Sequence, residues 1–107
     1  MKRGDIWWVS FDPAQGSEIQ KTRPAVIISN NAANQSLNRL QVIPISSQVQ
    51  KLYVSEALVL VGDKPGKIMA DQIRTVDKSR LKTYIATVSN LEMTAIERAL
   101  KIQLGLA

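Results

Sequence analysis

The 107-residue sequence contains no cysteine and no histidine. The first absence excludes disulfides, thiolate metal sites and cysteine nucleophiles. The second removes the commonest general base, the commonest nitrogen ligand for a metal, and every serine–histidine catalytic pair. Also missing is any apolar run near the ~20 residues that a membrane span needs. The opening Met1-Lys2-Arg3-Gly4-Asp5 holds no apolar signal core, so no membrane association and a cytoplasmic location are expected. At this length a single domain over residues 1–107, with one modest core, is expected.

What is present is basic and ordinarily apolar. Fourteen Lys and Arg against nine Asp and Glu leave a formal charge of +5. That favours an anionic partner, nucleic acid first and an acidic protein segment second, although small basic domains also use such charge for solubility alone. The apolar share of 45% belongs to a folded globular chain.

The pattern is mostly strands with one helix at the end. Asp5 to Phe11 is rich in aromatic and β-branched residues and reads as a strand that Asp12-Pro13 ends. Residues 12 to 22 form a long exposed loop of the kind that is functional or mobile. Pro24 to Ser29 is a continuous apolar run and reads as a buried strand. Asn30 to Asn38 is polar, with room for a helical turn. Leu40 to Ser46 is a third strand whose Pro44 predicts an edge or a bulge. Ala57 to Leu60 is a fourth, Gly62 to Gly66 a turn, and Lys67 to Val76 a fifth that becomes polar at Asp71-Gln72. A helical turn over Asp77 to Leu81 and a strand over Thr83 to Val88 follow. Ser89-Asn90-Leu91-Glu92 has the form of a capping box. Met93, Ile96, Leu100 and Leu104 then make one apolar stripe, and Gly105 stops the helix. The order predicts an α+β fold dominated by β: a small, mostly antiparallel barrel or curled sheet with one helix packed on it.

Three segments carry side chains suited to chemistry. Gly16-Ser17-Glu18-Ile19-Gln20-Lys21-Thr22-Arg23-Pro24 leaves the long loop and enters the second strand. Pro24 biases Arg23 toward an extended backbone, and a guanidinium at a strand mouth can grip a phosphate with two hydrogen bonds. It is equally an ordinary surface arginine beside a turn. Ser46 closes the third strand and opens Ser46-Ser47-Gln48-Val49-Gln50-Lys51; consecutive strands often neighbour each other, which could bring Ser46 to Arg23. A strand-end serine more often makes only a turn hydrogen bond. Ala70-Asp71-Gln72-Ile73-Arg74 sets amide, carboxylate and guanidinium groups where they could read bases, or simply face water. Trp7 and Trp8 point to opposite faces, so one of them could stack on a base or pack beneath the helix. Lys51, Lys64, Lys67, Arg74, Lys78, Arg80 and Lys82 give the second half a basic cast, the usual mark of a solvated face.

In order and spacing, these segments resemble the MazF/PemK family of toxins from bacterial toxin–antitoxin pairs. The resemblance runs through Gly4 to Pro13, Gly16-Ser17-Glu18, Arg23 to Ile27, Ala70 to Arg74, and Asp77 to Leu81. It implies an SH3-like curled antiparallel β-barrel with a C-terminal helix, and a symmetric homodimer. It implies sequence-specific cleavage of single-stranded RNA without a metal or other cofactor, giving 2′,3′-cyclic phosphate and 5′-hydroxyl ends. The family's catalytic arginine falls on Arg23, its threonine at the end of the third strand falls on Ser46, and a loop acid of some members falls on Glu18. Ser17, Gln20, Lys21, Ser47, Gln48, Lys51, Asp71, Gln72 and Arg74 become the expected RNA-binding set. The partner implied is an antitoxin whose acidic, disordered tail lies in the same groove.

With no histidine, the chemistry has few options. Arg23 suits the stabilisation of a pentavalent phosphate, but a guanidinium is a poor proton donor at neutral pH. Ser46 can donate a hydrogen bond or relay a proton, and Glu18 is the candidate base. Three other readings stay open. A gyrase-poisoning toxin on the same fold would be expected to carry a C-terminal tryptophan, where this sequence has Leu104-Gly105-Leu106-Ala107. The second is a binding module without catalysis. The third is a metal nuclease using Glu18 and Asp71.

Overall fold

The computed structural model describes Met1–Ala107. Its strands are β1 (Asp5–Ser10), β2 (Thr22–Ile27), β3 (Arg39–Ser46), β4 (Glu56–Val61), β5 (Lys64–Met69), β6 (Arg74–Asp77) and β7 (Leu81–Thr87). Helix α1 (Asn31–Ser36) follows β2, and α2 (Asn90–Leu104) ends the chain. All strand pairs are antiparallel. The sheet runs β4-β5-β3-β2-β1-β7, with β6 added along β3.

Strand alternation explains why both faces are apolar. Successive side chains point to opposite faces, and the curled half-barrel sheet buries each set separately. Ile6, Val26, Ile43 and Ile45 join Ile68, Val59, Ile96 and Ala99 in a cluster under α2. Val9, Ala25, Ile27 and Val42 join Phe11, Leu40, Val76 and Leu81 in a second cluster on the other face. The continuous apolar run of β2 is therefore a strand at the centre, covered on both sides. Each fully buried Ile, Val or Phe contributes about 1.5–3 kcal/mol.

Pro44 lies in neither an edge strand nor a bulge. β3 is central, and it changes partner along one side: β6 pairs Arg39 to Val42, and β5 pairs Ile45 and Ser46. Pro44 falls in the gap between them, so its missing N–H interrupts no ladder on that side.

The stretch expected as one strand from Lys67 to Val76 is two strands joined by a 3₁₀ turn over Ala70–Gln72. Asp71 and Gln72 sit in that turn and not in a strand. The expected turn over Gly62 to Gly66 is shorter, because β5 begins at Lys64 and pairs with Val61 across Gly62-Asp63. Gly62 adopts φ 68°, the left-handed region that a two-residue hairpin loop requires.

The capping box forms as the sequence predicts. Ser89 Oγ accepts the Glu92 N–H at 3.1 Å, and Glu92 Oε1 accepts the Ser89 N–H at 2.8 Å. Glu92 Oε2 also accepts the Leu60 N–H at 2.6 Å, tying the helix start to the edge strand β4. Ile96 is buried, Met93 and Leu100 pack partly, but Leu104 is exposed at the helix end. Gly105 closes α2 in the left-handed region. No helix is long and apolar enough to cross a membrane.

Candidate active site

Arg23 and Ser46 are brought together by strand register. β2 and β3 pair Ala25 with Pro44, Val26 with Ile43 and Ile27 with Val42. The same register carried two residues outward sets Arg23 opposite Ser46. Both line a hollow of about 280 Å³, with Trp8, Pro24 and Ile45 alongside and Lys64 and Gly66 of β5 on the far side.

The guanidinium is available. Arg23 is exposed and its only side-chain hydrogen bond within the protein is Nε to Gln20 O at 3.3 Å. The ion pairs of the chain are Arg3–Glu97 and Lys67–Glu56, so no carboxylate neutralises Arg23 and neither Nη group has a partner within the protein. Ser46 is half-buried, and its Oγ accepts the Gln48 N–H at 3.1 Å. This is the turn hydrogen bond of the plainer sequence reading, and it leaves the hydroxyl proton free to donate. An unpaired guanidinium and a free O–H donor beside one cavity suit the oxygens of a phosphate.

The hollow owes its shape to Gly66. A Cβ there would stand 2.6 Å from Ile45 Cγ2, 3.2 Å from Val61 Cγ2 and 3.4 Å from the Ser46 carbonyl oxygen. Only glycine lets β5 approach β3 this closely. Trp8 pairs with Pro24 across β1 and β2 and is 41% exposed, whereas Trp7 packs edge-on against Tyr84 at 6.0 Å between ring centroids. Trp8 is thus the indole that faces the site.

Glu18 and Asp71 occupy a different place. With Gln72 and Arg74 they line a second hollow of about 210 Å³. Glu18 Oε1 accepts the Gln15 N–H at 2.6 Å, and its N–H donates to Gln15 O at 3.1 Å, which closes a turn at the loop tip. No group of three or more acidic, histidine or cysteine side chains is gathered as metal ligands.

Several residues of the expected RNA-binding set also hold the framework. Gln72 Oε1 accepts the Ile19 N–H at 3.2 Å, and its Nε2 donates to Ser17 O at 3.5 Å, so the 3₁₀ turn is tied to the long loop. Arg74 donates from Nη1 to Phe11 O at 2.9 Å, and Arg80 donates to Ser10 O at 3.1 Å and to Asp12 O. These two arginines anchor the start of that loop rather than simply facing water. Lys21 takes φ 67°, unusual for a residue other than glycine, and its N–H donates to Asp12 Oδ1 at 2.9 Å. That turn delivers Thr22 and Arg23 into β2. Ser17, Gln20, Ser47, Gln48 and Lys51 are exposed.

Lys64 and Gly66 also line the hollow, although neither was expected there from the sequence. The signal was a two-residue hairpin, Gly62-Asp63 between Leu58 to Val61 and Lys64 to Ile68, which places Gly66 two residues into a strand and not in a turn.

A sequence model of the PemK-like, MazF-like toxins of type II toxin–antitoxin systems matches residues 2–104. This chain belongs to that family. Endoribonuclease MazF9 of Mycobacterium tuberculosis is 40% identical over 116 residues, covering 99% of this chain and 98% of the relative. Endoribonuclease MazF of Staphylococcus saprophyticus is 34% identical over 111 residues, covering 99% and 92%. The crystal structure of MazF from Deinococcus radiodurans superposes with a TM-score of 0.87 at 27% identity, covering 99% of this chain and 97% of that one. The curled antiparallel sheet with a C-terminal helix is therefore the MazF fold.

Proposed function

We propose that this MazF-family toxin is an endoribonuclease that cuts single-stranded RNA at a short sequence through the Arg23–Ser46 hollow. The observation that carries this is the unpaired Arg23 guanidinium set by register beside a serine whose proton is free. The ribose 2′-hydroxyl gives its proton to water as its oxygen attacks the adjacent phosphorus, the bond to the 5′-oxygen breaks, and that oxygen takes a proton from water, so that a 2′,3′-cyclic phosphate and a 5′-hydroxyl result. Arg23 stabilises the charge that gathers on the non-bridging oxygens. Ser46 donates its O–H to one of them. A guanidinium keeps its protons at neutral pH, so Arg23 acts by charge and not as an acid. Glu18 lines the separate hollow and spends one oxygen on the loop turn; we assign it to shaping the loop in preference to the role of base.

Single strands are the fitting substrate, since their bases can splay and stack. Trp8 beside the hollow offers one such face, and Lys64 a further contact for the backbone. Ser47 lines the hollow; Gln20 and Lys21 lead into Arg23 and Gln48 and Lys51 follow Ser46 in the adjoining loops, while Ser17 bonds to Gln72, which shares the second hollow with Asp71 and Arg74. No metal is required by this scheme. An apolar groove supports a homodimer: Leu58, Ile102 and Tyr53 remain half-exposed around it between β4 and α2, a surface that another copy would cover. The net charge of +5 supports an antitoxin whose acidic, unstructured tail occupies the RNA groove. Such a toxin and its mRNA substrate meet in the cytoplasm.

The test is to incubate the purified protein with a long unstructured RNA in excess chelator and map the ends. Discrete cuts at one recurring sequence with cyclic-phosphate termini are expected. Cutting that stops on chelation would instead favour a metal site at Glu18 and Asp71, which do share one hollow. RNA binding without cutting would favour a non-catalytic module.

A further inference from the structure

Lys67 is a buried cation for which the cleavage chemistry has no direct use. It lies on β5 opposite Ser46 and is 7% exposed. Its Nζ donates to Glu56 Oε1 at 2.9 Å and to Lys51 O at 2.8 Å. The same Glu56 oxygen accepts the Tyr53 N–H at 2.9 Å, and the Glu56 N–H donates to Tyr53 O at 3.0 Å. The Tyr53 ring centroid lies 5.3 Å from Lys67 Nζ and 5.0 Å from Lys51 Nζ. One ammonium therefore gathers Lys51, Tyr53 and Glu56.

Burying a charge is costly, and an apolar side chain could fill this space without that cost. What the ammonium does that an apolar group cannot is hold backbone. Within one copy the segment 47–55 has little else to fix it beyond the Ala70 N–H that donates to Ser55 O at 3.1 Å: Ser47, Gln48, Leu52, Tyr53 and Val54 are exposed, Val54 by 80%. The segment begins at the site, where the Gln48 N–H donates to Ser46 Oγ.

We propose that Lys67 is a positioning residue for RNA cleavage: paired with Glu56, it fastens residues 47–55 and so keeps the Gln48 N–H on the Ser46 hydroxyl. The inference rests on the reading that Ser46 acts on the phosphate. It places Lys67 behind Ser46, acting through the loop and touching no RNA.

Lys67→Met removes the ammonium and keeps the stem. Amide hydrogen exchange should show Gln48 and Tyr53 exchanging at least tenfold faster, with the amides of β1 and β2 unchanged. The rate constant kcat should fall about tenfold in the wild-type background and less than twofold in the Ser46→Ala background, because the loop then has no hydroxyl to orient. Should the single variant fail to fold, Glu56→Gln with Lys67→Met removes both charges, keeps the acceptor for Tyr53, and carries the same expectations. Unchanged exchange at Gln48, or an equal loss of kcat in both backgrounds, overturns the proposal. If Ser46→Ala alone leaves cleavage intact, the role of Ser46 fails first and the proposal fails with it; if only Lys67→Met is silent, the cleavage reading stands and this inference falls.

Discussion

Arg23 and Ser46 line one hollow at the ends of two neighbouring strands, two residues beyond Ala25 and Pro44, the last pair of their antiparallel ladder. The guanidinium has no carboxylate partner and the hydroxyl keeps its proton. Register, and not a flexible loop, sets the spacing of the two groups, which is the preorganisation that electrostatic catalysis needs.

Arg23→Ala should therefore remove nearly all cleavage. A lost charge-stabilising donor lowers turnover by about 10²–10³, and Arg23→Lys should recover little, since an ammonium lacks the two-pronged geometry. Single-turnover cleavage of a short RNA checks this. The thermal midpoint should stay within a few degrees of wild type, because the exposed Arg23 makes one weak bond, at 3.3 Å, to Gln20 O.

Ser46→Ala should lower cleavage by about 10- to 100-fold, less than the loss at Arg23, because it removes a neutral donor and not a charge. Ser46→Thr should stay within about threefold of wild type, since it keeps the hydroxyl and the acceptor for Gln48 N–H. A threonine variant as inactive as alanine would mean that the added methyl does not fit the half-buried site.

Glu18→Gln should retain most activity. The amide oxygen can still accept the Gln15 N–H that Glu18 Oε1 accepts now, so the loop turn survives while any base is lost. Single-turnover cleavage again decides it. A loss of about a thousandfold, the scale on which a general base contributes, would return Glu18 to that role.

Gly66→Ala should damage both stability and cutting. Its Cβ would meet Ile45 Cγ2 at 2.6 Å and crowd the Ser46 carbonyl. Overpacking of this kind costs about 1–3 kcal/mol. Denaturant unfolding measures the first effect. The second appears as slower cleavage per folded molecule, because Ile45 and Ser46 are pushed together.

The element order was largely legible in the sequence, and so were the two residues that line the candidate site, for identifiable reasons. The aromatic and β-branched β1, the apolar β2 and the Ser89–Glu92 capping box are local signals, and local chemistry decided them. Arg23 and Ser46 were legible as a possible pair because their strands are consecutive. The partner switch at Pro44 was not, since it depends on β5 and β6 sharing one side of β3. The break of 67–76 at Ala70–Gln72 was hidden by an unbroken apolar start, and the placement of Glu18 away from Arg23 required the folded loop. Lys67 looked like one more surface lysine in a basic half; only its position opposite Ser46 and its bond to Glu56 mark it as buried.

The most direct test of the account uses two RNAs that differ by one atom. One is all ribose, and the other carries a single 2′-deoxy nucleotide on the 5′ side of the mapped cut, both in excess chelator. Wild-type protein should cut the first to a cyclic phosphate and leave the second intact, while Arg23→Ala cuts neither. Cutting of the deoxy substrate at the same rate would show that the 2′-oxygen is not the nucleophile, and would contradict the mechanism assigned to the Arg23–Ser46 hollow.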